Sequence, residues 1–209
     1  MFTNRQEAGE LLAEKLVEFK NKKDVLVLGI PRGGVVVAKI IADMLSLPLD
    51  IIVVKKISLP INPELAIGAV GPEKTVYWDE ELCKRLDVSR EVRRKEMRVK
   101  DQERSEREKI LRGEKKAPSF RNKTVLLVDD GIATGATVLV SAKYLKKKKV
   151  KGLILAVPVI SNDTFRGISK YFDRMVFLEV SSEFGAVGQF YEEFTQISDE
   201  TVKKLFDRR

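Results

Sequence analysis

Val125-Leu126-Leu127-Val128-Asp129-Asp130-Gly131-Ile132-Ala133-Thr134-Gly135-Ala136-Thr137 is the stretch whose reading decides the fold. Four apolar residues in a row, two of them valine, fit a strand buried on both faces, as in a parallel sheet covered by helices. Such sheets bind ligands outside the carboxyl ends of their strands, and Asp129 and Asp130 stand at that end. Gly131 and Gly135 permit a turn that aims successive backbone N–H groups at an anion, and the Thr134 and Thr137 hydroxyls add donors. Val138 to Leu145 then reads as a helix whose N-terminal dipole favours a phosphate. Two carboxylates beside such a turn repel a bare anion, so the ligand must bring hydroxyls or a divalent cation to meet them.

Working outward, Val25-Leu26-Val27-Leu28-Gly29-Ile30-Pro31-Arg32-Gly33-Gly34 repeats the pattern of an apolar strand ending in a Gly-rich turn, here carrying a cation. Backbone N–H groups and a guanidinium in one loop suit an anion. The glycines lack the G-x-G-x-x-G spacing of a dinucleotide site, and Val35 to Leu45 continues as a helical pattern. Leu49 to Lys56 reads as a strand ending in Lys55 and Lys56, and cations at neighbouring strand ends lower the cost of gathering negative charge. Strand-like runs at Val25–Leu28, Ile51–Val54, Thr124–Val128, Gly152–Val157 and Met175–Val180 alternate with helical stretches or loops. The class is therefore α/β, a mostly parallel twisted sheet flanked by helices. Gln6 to Phe19 is expected to form a leading amphipathic helix.

Between the two turns, Ile57 to Glu64 is a Pro-punctuated loop and Leu65 to Val70 resumes a strand-like run. Ser89 to Arg112 is so charged that almost no apolar stripe remains, which predicts an exposed helix, a lid or a subunit contact and hardly a core element. At 209 residues the chain suits one domain, 1–209, with a charged helical insertion at about 79–117.

Composition narrows the chemistry. With no histidine, Ser-His-Asp and Cys-His catalysis and histidine metal sites are excluded. The single cysteine, Cys83, has no partner for an internal disulfide and suits a reducing cytoplasm. No apolar run approaches the about 18 residues of a membrane span, and no signal-peptide pattern opens the chain. A nucleotide triphosphatase also ends a strand in Asp, but its G-x-x-x-x-G-K-[ST] loop is missing here. The net charge of +8 and the run Lys146-Lys147-Lys148-Lys149 raise the question of nucleic acid. The lysines follow a helix, where cations favour the C-terminus, so a solvated helix end is the preferred reading and nucleic acid is not expected as a partner.

The two turns together resemble the type I phosphoribosyltransferases, whose signature is an apolar run, two acidic residues and a turn of Thr-Gly-x-Thr type. The resemblance implies that Asp129 and Asp130 face the ribose hydroxyls of 5-phosphoribosyl 1-diphosphate (PRPP) and meet Mg, directly or through water. It implies that Gly131, Ile132, Ala133, Thr134, Gly135, Ala136 and Thr137 wrap the 5-phosphate. The loop Pro31, Arg32, Gly33 and Gly34, which in the family often holds a strained peptide bond, is assigned to pyrophosphate. Lys55 or Lys56 adds a basic contact. Phosphoribosyl transfer needs no histidine, because the resemblance implies an oxocarbenium-like state at the ribose C1 with pyrophosphate leaving as a magnesium complex, stabilised by positioned charge.

The resemblance further implies a hood at about 181–209 that takes the acceptor base, a purine by preference. Phe184 would stack on the base and the backbone around Val187 would read its edge; packing of Phe184, Phe190, Tyr191 and Phe194 within the C-terminal segment is the alternative. A mobile loop after Lys56 is expected to close over PRPP. A cytoplasmic homo-oligomer is expected. Some relatives sense PRPP and regulate transcription or RNA, so a non-catalytic PRPP-sensing regulator that binds nucleic acid is the second reading.

Overall fold

Successive side chains of a strand point to opposite faces, and the apolar residues of β6 (Thr124–Val128) use both. The computed structural model describes residues 1–59 and 62–207, and in it Val125 and Leu127 join one buried cluster while Leu126 and Val128 join another. Strand β1 (Val25–Gly29) divides the same way, with Leu26 and Leu28 on the first side and Val25 and Val27 on the second. Helices α1 (Arg5–Glu14) and α2 (Gly33–Leu45) close the second face through Leu12, Ala13, Val37, Ala38 and Ile41. Helix α5 (Ala136–Lys147) closes the first through Val138, Leu139, Ala142 and Leu145. Leu126 is fully buried in the second cluster. Truncation by Leu126→Ala is expected to cost about 2–5 kcal/mol of unfolding free energy, read from urea denaturation.

The central sheet has five strands, β2 (Leu49–Ile51), β1, β6, β7 (Gly152–Ser161) and β8 (Arg174–Ser181) in that order, each parallel to its neighbours. From β1 the chain steps outward to β2 on one side and later returns to β6 on the other. The strand order therefore reverses between β1 and β6, and ligands of open α/β sheets bind in the crevice at such a point.

Between residues 51 and 64 three sequence expectations are corrected. The strand expected over Ile51–Val54 is displaced: β2 ends at Ile51, Ile52 N–H still donates to the Gly29 carbonyl of β1 at 3.0 Å, and the chain then runs buried out of the sheet through Val53 and Val54. An apolar run reports burial and not which strand it pairs with. Lys55 and Lys56 consequently end no parallel strand; they open β3 (Lys55–Leu59), which forms an antiparallel sheet with β4 (Asn62–Gly71) and β5 (Thr75–Trp78). The loop expected over Ile57 to Glu64 is in part strand, since Ile57, Ser58 and Leu59 pair with Gly68, Ala66 and Asn62; its Pro60 and Ile61 lie outside the described residues.

Helix α1 also stops at Glu14, short of the expected Phe19, and Val17–Phe19 forms a separate 3-10 turn. The charged segment folds as expected into a long helix, α4 (Arg90–Arg112), capped by Ser89 and preceded by the short α3 (Glu80–Arg85). Its charges pair along the helix, Arg104 with Asp101 at 3.0 Å and with Glu108 at 2.6 Å. Its last turn is nevertheless core: Leu111 packs with Val35, Ile51 and Phe206, and Arg112 is buried on Asp50 at 2.7 Å. The final helix, α7 (Asp199–Asp207), supplies Phe206 to that cluster. The lysine run closes α5, where Lys146 and Lys147 sit in the last turn and Lys148 pairs with Glu73.

Candidate active site

The turns after β1 and β6 meet at the strand-order reversal, and the glycines there are demanded by contact. A Cβ on Gly34 would fall 2.8 Å from Asp129 Cα and 2.9 Å from the Val128 carbonyl oxygen. One on Gly33 would fall 1.7 Å from Asp130 Oδ2. The peptide bond between Pro31 and Arg32 is cis. Helix α2 starts at Gly33, two residues before the expected Val35, so both glycines lie in its first turn; Arg32 at its N-cap makes no capping side-chain hydrogen bond. Helix α5 likewise starts without a side-chain cap, after Gly135 in the left-handed region at φ 76°. By contrast α1, α3, α4 and α6 (Asn162–Ile168) are capped by Asn4, Asp79, Ser89 and Ser161. The two helices at the crevice thus leave their first N–H groups for another acceptor, with the positive dipole end beside them.

The second turn is fastened to the end of β7. Ile132 N–H donates to the Val159 carbonyl at 2.9 Å, and Ser161 N–H donates to the Ile132 carbonyl at 3.0 Å. The Ala133 carbonyl accepts from the Ser161 hydroxyl at 2.9 Å and from the Thr164 hydroxyl. Gly131, read from sequence as conformationally special, is not in the left-handed region. Its missing side chain instead makes room for Val187, whose Cγ1 lies 2.5 Å from where a Cβ would stand. Ala133 and Thr134 line a cavity of about 410 Å³ with Asn162, Thr164, Ser181 and Phe184. Phe184 also packs on Phe190, ring centroids 4.9 Å apart, so it borders the cavity and belongs to the C-terminal cluster at once.

The two carboxylates are held unequally. Asp130 Oδ2 accepts from Arg5 Nε at 2.7 Å, and the Tyr191 hydroxyl donates to the Asp130 carbonyl at 2.6 Å. Burial and the nearby Asp130 charge push the Tyr191 phenol up, so it stays a donor. Asp129 Oδ1 accepts the Asp130 N–H at 2.9 Å. Burial first, and the adjacent Asp130 charge second, push the Asp129 carboxyl well above the usual carboxylate range. A carboxyl raised in this way favours the folded state most below its unfolded value of about 3.9, and that benefit is lost as pH rises through the folded value. Asp129→Asn removes the loss. Thermal melts of variant and wild type are expected to separate with rising pH, the variant gaining.

Of the two lysines, Lys55 is engaged by Glu103 of α4 at 3.2 Å, and Glu103 also takes Lys100 at 2.6 Å. Lys56 is exposed, and its charge is felt at Asp129. Arg32 is exposed at the mouth of the first turn. Among the described residues no three His, Cys, Asp or Glu side chains converge on a metal position. A pair of carboxylates without a cage fits Mg²⁺ that keeps waters and arrives with ligand phosphates. Cys83 is buried among Ile57, Ile67 and Leu82, where burial pushes its thiol up, as an inert core residue requires. Sequence reasoning missed Arg5, Thr195 and the role of Tyr191. They reach Asp130 or Arg5 across 61 to 190 residues of chain, and no local pattern marks them.

A parallel sheet with two anion-ready helix ends and a carboxylate pair at its strand-order reversal is the type I phosphoribosyltransferase fold. Residues 3–195 match the phosphoribosyl transferase domain family, and the chain belongs to it. It is 38% identical over its whole length to a Mycobacterium tuberculosis protein whose name assigns it provisionally to the phosphoribosyl transferases. The match takes in 47% of that protein, so the chain spans about half the length of the curated relatives it matches. A Thermus thermophilus protein of known crystal structure is 32% identical and superposes with a TM-score of 0.82, covering 98% of this chain and 97% of that one. A hypoxanthine-guanine phosphoribosyltransferase of Bacillus anthracis, 12% identical, shares the fold at a TM-score of 0.51 over 90% of this chain and 88% of its own. Among the described residues no helix is long and apolar enough to cross a membrane.

Proposed function

We propose that this chain binds PRPP with Mg²⁺ and transfers its 5-phosphoribosyl group to a nitrogenous base, a purine by preference, releasing pyrophosphate. The observation that carries the reading is the convergence on one crevice of the Asp129–Asp130 pair and two helix starts without side-chain caps. The first N–H groups of α5 and the Thr134 and Thr137 hydroxyls take the 5-phosphate, a dianion that gains from the dipole end. Asp129 and Asp130 accept the ribose hydroxyls, which fixes the ring between the two turns. Gly33, Gly34 and Arg32 take the diphosphate through backbone N–H groups and a guanidinium. Mg²⁺, when bound, offsets the diphosphate charge and makes it a better leaving group.

The carboxylates lie beside the ring on which positive charge develops as the bond to the diphosphate breaks. Negative charge positioned there on Asp130 lowers the barrier without reorganisation, and Asp129 contributes as a hydrogen-bond partner. The base is taken on the side of the cavity bordered by Phe184, next to Thr134, with Val187 against the turn. Lys56 adds positive charge near the donor, while Lys55 is held by Glu103. The activity of a longer protein containing this chain belongs to the same proposal.

The test is pyrophosphate release from PRPP and Mg²⁺ with a panel of purine and pyrimidine bases. Turnover on one base, lost without Mg²⁺, is expected. PRPP bound with no turnover on any base would replace transfer by the PRPP-sensing reading.

A further inference from the structure

Arg5 is a charged side chain at the crevice that the donor reading leaves without a ligand contact of its own, although it holds Asp130 in place. Its side chain is 8% exposed, and a guanidinium is removed from water at a cost that its partners must offset. Nε is engaged by Asp130 Oδ2 at 2.7 Å and Nη1 by the Thr195 carbonyl at 2.9 Å, while the guanidinium carbon lies 3.8 Å from the Phe194 ring centroid. Nη2 has no hydrogen-bond partner among the described residues and keeps solvent access.

Arg5 lines a cleft of about 210 Å³ together with Arg32, Gly33, Phe194, Thr195 and Ile197. A Cβ on Gly33 would stand 2.9 Å from Arg5 Nε, so the guanidinium lies against the first turn itself. Arg32, the second guanidinium of the cleft, makes no ion pair among the described residues. The cleft thus carries two guanidinium groups and one carboxylate in contact with them, Asp130 on Arg5, a balance that favours an anionic ligand. With Nε and Nη1 engaged, Nη2 is the donor that Arg5 can direct at a phosphate oxygen, from a guanidinium already held in place by its other two contacts.

The cleft is also held in shape. Phe2 N–H donates to the Phe190 carbonyl at 2.8 Å, and Glu192 N–H donates to the Phe2 carbonyl at 2.8 Å. The start of the chain, which carries Arg5, is thereby stitched to the segment that carries Phe194 and Thr195. Rigid support of this kind lets a ligand-contacting arginine act with little loss of ordering entropy on binding.

We propose that Arg5 contacts the diphosphate of PRPP, forming with Arg32 the two arms of one clamp across the Gly33 turn. The proposal rests on the PRPP reading. Its test is calorimetric titration of three ligands in Mg²⁺, namely PRPP, inorganic pyrophosphate and ribose 5-phosphate, into wild type, Arg5→Met and Arg5→Lys. Arg5→Met is expected to weaken pyrophosphate by at least about tenfold, the loss of one charge-assisted contact. Ribose 5-phosphate, which Arg5 reaches only through its 2.7 Å pair with Asp130, is expected to weaken by a clearly smaller factor than pyrophosphate. Arg5→Lys, which keeps the charge and loses the simultaneous anchoring on Asp130 and Thr195, should fall between wild type and Arg5→Met for pyrophosphate. If Arg5→Met does not fold, the lysine variant carries the same comparison. Unchanged pyrophosphate affinity, or an equal fall for both ligands, overturns the Arg5 assignment while PRPP binding by the wild type leaves the donor site standing. Absence of PRPP binding by the wild type overturns the reading on which the assignment rests.

Discussion

The double substitution Asp129→Asn, Asp130→Asn is expected to leave the fold intact and to weaken PRPP binding by at least about a hundredfold. Each carboxylate hydrogen bond to a ribose hydroxyl contributes about 1.5–3 kcal/mol, and about 1.4 kcal/mol is tenfold in affinity. Two lost contacts therefore span roughly two to four decades. The fold survives because Asn is nearly the same size and because Asp129 gains nothing from its charge in the folded state, where burial and Asp130 disfavour ionisation. Asp130 gives up its 2.7 Å pair with Arg5, a loss partly offset by removing the repulsion between the two adjacent carboxylates. Equilibrium dialysis with labelled PRPP, beside a thermal melt, separates the two effects. A destabilised variant with unchanged affinity would mean that the pair is structural.

Gly34→Ala is the second large effect. The added carbon would stand 2.8 Å from Asp129 Cα and 2.9 Å from the Val128 oxygen, both backbone atoms that cannot rotate away. Either α2 or the end of β6 must shift. Overpacking of this kind costs about 1–3 kcal/mol of stability. Because the shift falls between the two turns, PRPP affinity should drop by more than about tenfold, roughly the effect of misplacing contacts by tenths of an ångström. Gly167→Ala, where nothing stands within 4 Å of the new carbon, is the control and should leave PRPP affinity unchanged. Chemical denaturation and the same dialysis read both quantities.

What the sequence disclosed follows from how local each feature is. Strand β6 is where the apolar run placed it, because four apolar residues bounded by charge and glycine can satisfy both faces of a parallel sheet. The two turns were legible because strand, turn and helix start are consecutive in the chain. The path of Lys55 and Lys56 was not, since Ile51 to Val54 are equally buried whether they pair in the first sheet or lead to the second. The last turn of α4 was misread because Leu111 and Arg112 look like the end of a charged helix until Asp50 and Phe206 arrive from elsewhere. Arg5 was invisible for the same reason: its partner is 125 residues away. Local patterns thus disclosed where a ligand meets the backbone, and long-range packing decides which side chains surround it.

Calorimetric titration of PRPP with Mg²⁺ into the wild-type chain tests the central claim most directly. Saturable binding of one PRPP per chain, competed by pyrophosphate and abolished by the double Asn substitution, is the predicted result. No heat and no competition at millimolar PRPP, about the weakest affinity compatible with a substrate site, would contradict the account.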